Sequence, residues 1–443
     1  MQFLKNYPMR KSDYSITLYI PIVFCQLYLG CIYILALFGP WPWEFPNTAK
    51  LTLFIIVCNI GLLVGYFLAI KVYKVKKYNQ NIDDMKIFNF FLIVFFITLP
   101  LTFYIRTNIN LFNPIEFYNS LLLGIHNPAE LYYNKLRFYE SNSAAFSLTV
   151  IDILLTAVYY YVLAIAVFRW KYFSLIHKVT IFIGVTINML SWVLIGTNKG
   201  LFDLMIILII YIIYKISIIK KNSFSLLKIK NIISLMLIFF FIIGIFGYFA
   251  NSIESRVGDI VYFNDTNIKI DTNSPIYKYT PDFLKGFIVT LSSYLTQGYY
   301  GLSLALEEPF TSTLFIGNSS FLSSFMESTF GISYFIENSY PTKIEIYGWD
   351  RFINWHTAYT WFASDISFWG VPFLMILIGF LLGVFWKESL AEQQLSMVLF
   401  IIIMILVIYI PANNQIFSFP GTLFTFYLFF SLRFLRKNLK IKF

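Results

Sequence analysis

The chain is 443 residues long, 58% hydrophobic and only 13% charged, with a formal net charge of +10. A soluble domain devotes about a quarter of its residues to charge, so this composition excludes an ordinary water-soluble enzyme and points to a protein of the bilayer. Sorted by side of the membrane, the positive balance is a topology signal and not a nucleic-acid footprint.

A helix needs roughly 20 apolar residues to cross about 30 Å of hydrocarbon. Ten runs qualify in chain order: 14–38, 51–70, 87–105, 147–168, 179–195, 201–219, 231–250, 368–386, 395–410 and 422–434, the last being short. The first is too long and too poorly bounded for a cleaved signal peptide, and no small-residue cleavage site follows it, so it is expected to stay as a helix. With both termini placed in the cytoplasm, that face holds 22 of the 33 lysines and arginines against five acids, or +17. The other face holds 11 against 18, or −7. Short cytoplasmic loops retain lysine and arginine, and ten spans satisfy this without adding or dropping a helix. The expected fold class is therefore an all-α, polytopic integral membrane protein of about ten transmembrane helices. It forms one membrane domain over 1–443, with 251–367 as a large external loop. Cys25, Cys31 and Cys58 lie inside the first two runs, so disulfide and metal readings have no support.

Two external segments, 106–146 and 251–367, are too long to be mere connections. Within the second, 282–306 mixes apolar positions with Ser292, Ser293, Thr296 and Gln297. It is too polar for a span and reads as an amphipathic helix at the membrane interface.

Ionisable groups at membrane depth are functional candidates by default. Arg106 ends the third run and Asp152 begins the fourth, either as an ion pair joining two helices or with Arg106 free to hold a lipid phosphate. The turn Gly196-Thr197-Asn198-Lys199-Gly200, followed by Asp203, also has two readings. It is a phosphate site at a helix N-terminus, where glycines admit close approach, or a tight turn whose lysine pairs with Asp203 one helical turn on.

The segment from Trp355 to Gly370 puts an imidazole and a carboxylate among aromatic rings just ahead of an apolar run. His356 and Asp365 are nine residues apart, on opposite faces of any unbroken helix, so they have separate roles unless the chain bends. Pro372 suits a helix starting near Gly370, which leaves Asp365 just outside it, reactive or bonded to loop N–H groups. His356, beside Trp355 and Arg351, has the better claim to act as a base. Arg137, Arg256, Lys285 and Arg351 are external cations able to collect pyrophosphate. Asn413, Asn414 and Gln415 in the last external turn offer neutral hydrogen-bonding groups to hydroxyls. Tyr294, Tyr299, Tyr300, Trp349, Trp355, Tyr359, Trp361 and Trp369 offer flat faces to sugar rings, or form an interfacial belt.

This layout resembles the O-antigen polymerase family, the oligosaccharide repeat-unit polymerases of bacterial envelopes. The likeness spans the chain as hydropathy, with one dominant external loop in the second half, and is sharper in the 196–200 turn and the 356–370 segment. Members often carry arginine where this chain has Lys199, which leaves Lys199 as a point charge. The resemblance implies transfer of a glycan from undecaprenyl pyrophosphate to a sugar hydroxyl of an incoming lipid-linked repeat unit. The reaction would run on the outer face of the bacterial cytoplasmic membrane, with no cofactor and no metal. It implies His356 or Asp365 as base, and Arg106, Lys199, Arg256 and Arg351 on the pyrophosphate. Implied partners are the lipid-linked donor and acceptor, membrane lipid, a flippase and a chain-length regulator.

Four other readings compete. A lipid-linked oligosaccharide flippase would show repeated halves and polar groups near the midplane. A glycosyltransferase using a lipid-monophosphate sugar with a metal would show an Asp-x-Asp pair, which 38–50 lacks. A membrane O-acyltransferase would use His356 but leave the arginines and rings unexplained. In a structural or sensory protein the large loop would bind without reacting.

Overall fold

The computed structural model describes residues 17–75, 83–132, 145–218, 229–257, 262–263 and 268–438. These are mostly helical, without a β-strand beyond an isolated bridge between Tyr262 and Lys269. In chain order the principal helices are α1 (Ile20–Phe38), α2 (Thr48–Val72), α3 (Asp83–Thr107), α4 (Pro114–His126), α5 (Ala145–Arg169), α6 (Leu175–Val193) and α7 (Lys199–Ile218). They continue as α8 (Ile229–Val257), α9 (Asp282–Ala305), α10 (Ser320–Phe330), α11 (Ala358–Leu390), α12 (Gln394–Tyr409) and α13 (Pro420–Asn438). Each of the ten apolar runs falls within or closely overlaps one of these helices. Eight of them, α1 to α3, α5 to α8 and α11, are long and apolar enough to cross a membrane. The chain is an all-α polytopic membrane protein. The shorter α12 is buried from Gln394 to Ile408 on nearly every side and forms the centre of the bundle.

Residues near both ends of the described chain are tied to the same end of the bundle. The Trp386 indole donates to the Thr17 carbonyl (3.2 Å), and the Thr17 hydroxyl to that of Ser217 (3.1 Å). Arg433 forks onto the fully buried Glu388 at 2.7 and 3.0 Å, and Ser396 and Tyr73 also donate to that carboxylate. Arg169 and Arg436 both face Asp84 at 3.8 Å. Lys387 donates to the Ile70 carbonyl at this end as well (3.0 Å).

The tightest helix pair is α2 with α11. In an apolar medium helices associate through close packing, which small residues four apart permit. Gly61 and Gly65 of α2 sit against α11 at Pro372 and Ile376, and Gly379 and Gly383 of α11 sit against α2 at Leu62 and Tyr66. A Cβ at Gly65 would lie 1.9 Å from the Ile376 carbonyl oxygen, and one at Gly379 2.1 Å from that of Leu62.

Two features depart from expectation. The eighth span starts at Ala358, capped by the Thr357 hydroxyl accepting from Thr360 N–H (3.2 Å), and not near Gly370. The large connecting segment therefore ends at Thr357. The helix is broken at Ser367, whose φ of 62° and ψ of 165° belong to a region that glycine alone enters easily. A break frees helix carbonyls, and buried carbonyls need donors. Thr313 supplies them to Ser364 through its N–H (3.1 Å) and hydroxyl (2.9 Å), and Ser312 to Asp365 (3.1 Å). Secondly, α9 turns Ser292, Ser293, Thr296 and Gln297 into the protein. Trp43 donates to Thr296 and the Trp355 N–H to Gln297, each at 2.9 Å. Rings of Trp41, Trp43, Phe263, Tyr300 and Trp349 clamp the 38–48 connection onto this helix.

Candidate functional site

At the end of the bundle away from Thr17 and Arg433, a cleft of about 630 Å³ opens between α10, the 351–356 stretch, the start of α11 and the turn before α13. Small-molecule sites fall in the range of about 300–1,000 Å³. One wall is the face of α10 bearing Ser320, Ser323, Ser324 and Glu327, a spacing of i, i+3, i+4 and i+7 that lines up side chains on a helix. The opposite wall holds Arg351, Trp355, His356 and Trp361. Asn413, Ser418 and Phe419 close a third side, and Tyr132 and Tyr294 reach the rim.

His356 is 2% exposed. Burial pushes its pKa down to about 3, against a smaller upward pull from the charge and main chain of Asp350. The ring is therefore neutral at pH 7. Neither ring nitrogen completes a hydrogen bond among the described residues, the Asp350 main chain standing short of full hydrogen-bond geometry. The imidazole meets Trp361 edge-on at 6.1 Å, and the Trp361 Nε1 and the Ser418 hydroxyl lack partners as well. A buried polar atom left unpaired costs about 1–3 kcal/mol. Several of them on the wall of one cleft mark a surface ready for a hydrogen-bonding ligand. Arg351 donates to Thr342 (2.8 Å), approaches Glu345 at 3.5 Å and lies 4.5 Å over the Phe352 ring.

Asp365 does not line the cleft. Its carboxylate accepts from the Thr313 hydroxyl (2.5 Å), the N–H groups of Gly317 (3.1 Å) and Asn318 (3.0 Å), and the Asn318 amide (2.6 Å). A carboxylate offers about four acceptor sites, so these four donors fill it. This geometry argues against the base role for Asp365 and for the loop-binding one. The Asn414 side chain donates to the Asn318 carbonyl (2.7 Å) in the same assembly, and Gln415 is buried with its amide oxygen unpaired. Of that turn's three polar residues only Asn413 reaches the cleft.

Among the described residues, the cations expected on pyrophosphate are engaged with the protein. Arg106 contacts Asp152 (3.4 Å) and Ser191 (3.0 Å) and stacks 4.4 Å over Trp192. Lys199 pairs with Asp203 at 2.8 Å, and Tyr160 donates to the same oxygen at 2.9 Å. Lys199 also lies 4.7 Å over the Phe419 ring, which places it beside the cleft. The glycines of its turn admit protein and not ligand: a Cβ at Gly196, where φ is +61°, would lie 2.1 Å from the Pro128 carbonyl oxygen. One at Gly200 would lie 2.0 Å from the Trp192 Nε1. Lys285 pairs with exposed Asp282 at 2.7 Å. Arg137 and the side chain of Arg256 lie outside the described residues. Among the rings, Tyr294, Trp355 and Trp361 face the cleft. Tyr299, Trp349 and Tyr359 are core, and Trp369 stands 89% exposed away from it.

Glu327 and the serines of α10 escaped the sequence reading. Their signal was present as a polar stripe in SFLSSFMESTF, at helical spacing inside the large external segment 251–367. Compared with known proteins, the chain matches no family model, no curated protein and no solved structure.

Proposed function

We propose that the protein is a glycosyl-transferring membrane enzyme that joins lipid-linked oligosaccharide repeat units, with the cleft around His356 as its reaction site on the outer face of the cytoplasmic membrane. The observation that carries this reading is the set of buried, unpartnered polar atoms of His356, Trp361 and Ser418 on the wall of a cleft that also presents aromatic rings. Sugars are bound by that combination, hydroxyls meeting neutral donors and acceptors while ring faces lie on aromatics. The position fits a lipid-linked substrate, because the cleft opens where span ends meet α10, so a carrier lipid can remain in the bilayer while its head group enters. Arg351 and Lys199 flank the cleft and supply positive charge to a pyrophosphate leaving group once Glu345 and Asp203 share them.

The carrier reading fares less well. A transporter places polar groups near the midplane, whereas the centre of this bundle is α12, apolar from Met397 through Tyr409 apart from the Tyr409 hydroxyl. The test is deletion of the gene in its native host, with surface glycans resolved on a gel and rescue by the intact chain. The reading expects the polymer ladder to vanish while a single repeat unit remains. An unchanged ladder refutes it, and complete loss of surface glycan favours a flippase.

A further inference from the structure

We propose that Glu327 is the catalytic base of this cleft, taking the proton from the attacking sugar hydroxyl; the assignment rests on the glycosyl-transfer reading above. The carboxylates near the cleft separate by occupation. Asp365 is saturated by four donors, and Glu345 faces Arg351. Asp350 accepts from the N–H groups of Phe352 (2.6 Å) and Ile353 (3.2 Å), and Asp203 is held by Lys199 and Tyr160. Glu327 lines the cleft, and its carboxylate makes no hydrogen bond or ion pair among the described residues. A general base needs a lone pair free to receive the proton it abstracts, and this carboxylate, lining the cleft, has one.

Its backbone is held in place. The α10 helix begins at the Ser319 cap, where the Ser319 hydroxyl accepts from Leu322 N–H (3.2 Å) and donates to the Phe417 carbonyl. The Ser323 hydroxyl donates to the Ile316 carbonyl at 3.1 Å. At the far end the Gly331 N–H donates to the Glu327 carbonyl (2.9 Å) in a left-handed cap with φ of 69°. The second, independent pointer to a ligand is His356 across the cleft, 98% buried with both nitrogens unsatisfied. A ring so poorly disposed to accept and hold a proton serves better as a neutral hydrogen-bonding partner for the sugar, which leaves proton removal to the carboxylate.

The step balances. The acceptor O–H proton passes to the Glu327 carboxylate as the acceptor oxygen forms a bond to the anomeric carbon. The bond from that carbon to the phosphate oxygen breaks, and its electron pair leaves with the lipid pyrophosphate. The proton then returns to solvent from the exposed end of Glu327.

The test uses membrane vesicles from the deletion strain carrying the intact chain, Glu327→Gln or Glu327→Ala. The lipid-linked repeat units that the deletion strain accumulates are supplied, and each protein's abundance is measured by immunoblot. The expected result is extension by the intact chain, a fall of about 10²-fold or more in Glu327→Gln at equal abundance, and partial recovery of Glu327→Ala on adding formate, a free carboxylate able to enter the vacated space. Glutamine keeps the size of glutamate, so this variant answers the question even if the alanine variant fails to accumulate. Extension by Glu327→Gln within about threefold of the intact chain overturns the assignment, as does a Glu327→Ala protein that accumulates normally and does not respond to formate. If the intact chain also extends nothing, the glycosyl-transfer reading falls, and the base assignment with it.

Discussion

Replacing Asp365 with alanine should unfold the connection between α9 and α10 before it touches any chemistry. The carboxylate is 6% exposed and receives four donors, two of them backbone N–H groups at Gly317 and Asn318. A hydrogen bond to a charged group contributes about 1.5–3 kcal/mol, and a buried donor left unpaired costs about 1–3 kcal/mol. The four are not additive, since water enters at the exposed edge of Asn318, so the loss should be about 3–5 kcal/mol, the range for breaking a buried charged network. Asn318 and Asn414 are tied to each other, and Ser319 caps α10, so the damage reaches the wall that carries Glu327. Asp365→Asn keeps one acceptor oxygen but turns an NH₂ toward donors, and should lose about half as much. The assay is thermal and urea unfolding of the purified protein in detergent, followed by tryptophan fluorescence. An Asp365→Ala protein as stable as the parent but unable to transfer sugar would refute the positioning role and return Asp365 to the chemistry.

Other perturbations separate the remaining parts of the account. Gly65→Leu and Gly379→Leu each drive a side chain into backbone within 2.1 Å, so either should prevent α2 and α11 from pairing and abolish recovery of monodisperse protein by size-exclusion chromatography, whereas Gly244→Leu, which meets nothing within 4 Å, should be recovered normally. Arg433→Ala removes the bidentate guanidinium from the fully buried Glu388 and should cost about 3–5 kcal/mol in urea unfolding, and pairing it with Glu388→Gln should restore part of that loss. Because folding lowers the His356 pKa from 6.5 to about 3, the unfolded chain binds the proton more tightly than the folded one. Its stabilising contribution is complete above pH 6.5 and declines as pH falls toward 3, by about 2 kcal/mol at pH 5. That decline should be seen as a difference between the intact chain and His356→Gln when both are unfolded across pH 5 to 8; parallel curves would contradict burial of the neutral ring.

The membrane-spanning part of the fold was legible because each element announces itself locally. About 20 apolar residues make a span whatever the rest of the chain does, and the ten runs appear as helices close to their expected bounds. The start of α11 was not legible, because Ser364 and Asp365 look like loop until Ser312, Thr313 and Asn318, some 50 residues upstream, satisfy them and brace the break at Ser367. At the candidate site the sequence drew attention to His356 and Arg351, which do meet in one cleft. It could not tell that Arg106 and Lys199 are paired with Asp152 and Asp203, although both pairs were foreseen as one of two alternatives. Glu327 was hidden for a different reason. A carboxylate in a polar loop is ordinary, and its significance comes from lining the cleft without a partner while Asp365, Glu345, Asp350 and Asp203 are each engaged. That comparison needs three dimensions.

The account's central claim is tested most directly with purified protein in detergent, supplied with the lipid-linked repeat units that accumulate in the deletion strain and analysed for product length on a gel. The account predicts a ladder of extended lipid-linked glycans from the intact chain and none from His356→Ala protein of normal stability. A folded, monodisperse intact chain that leaves the repeat units unextended would contradict it.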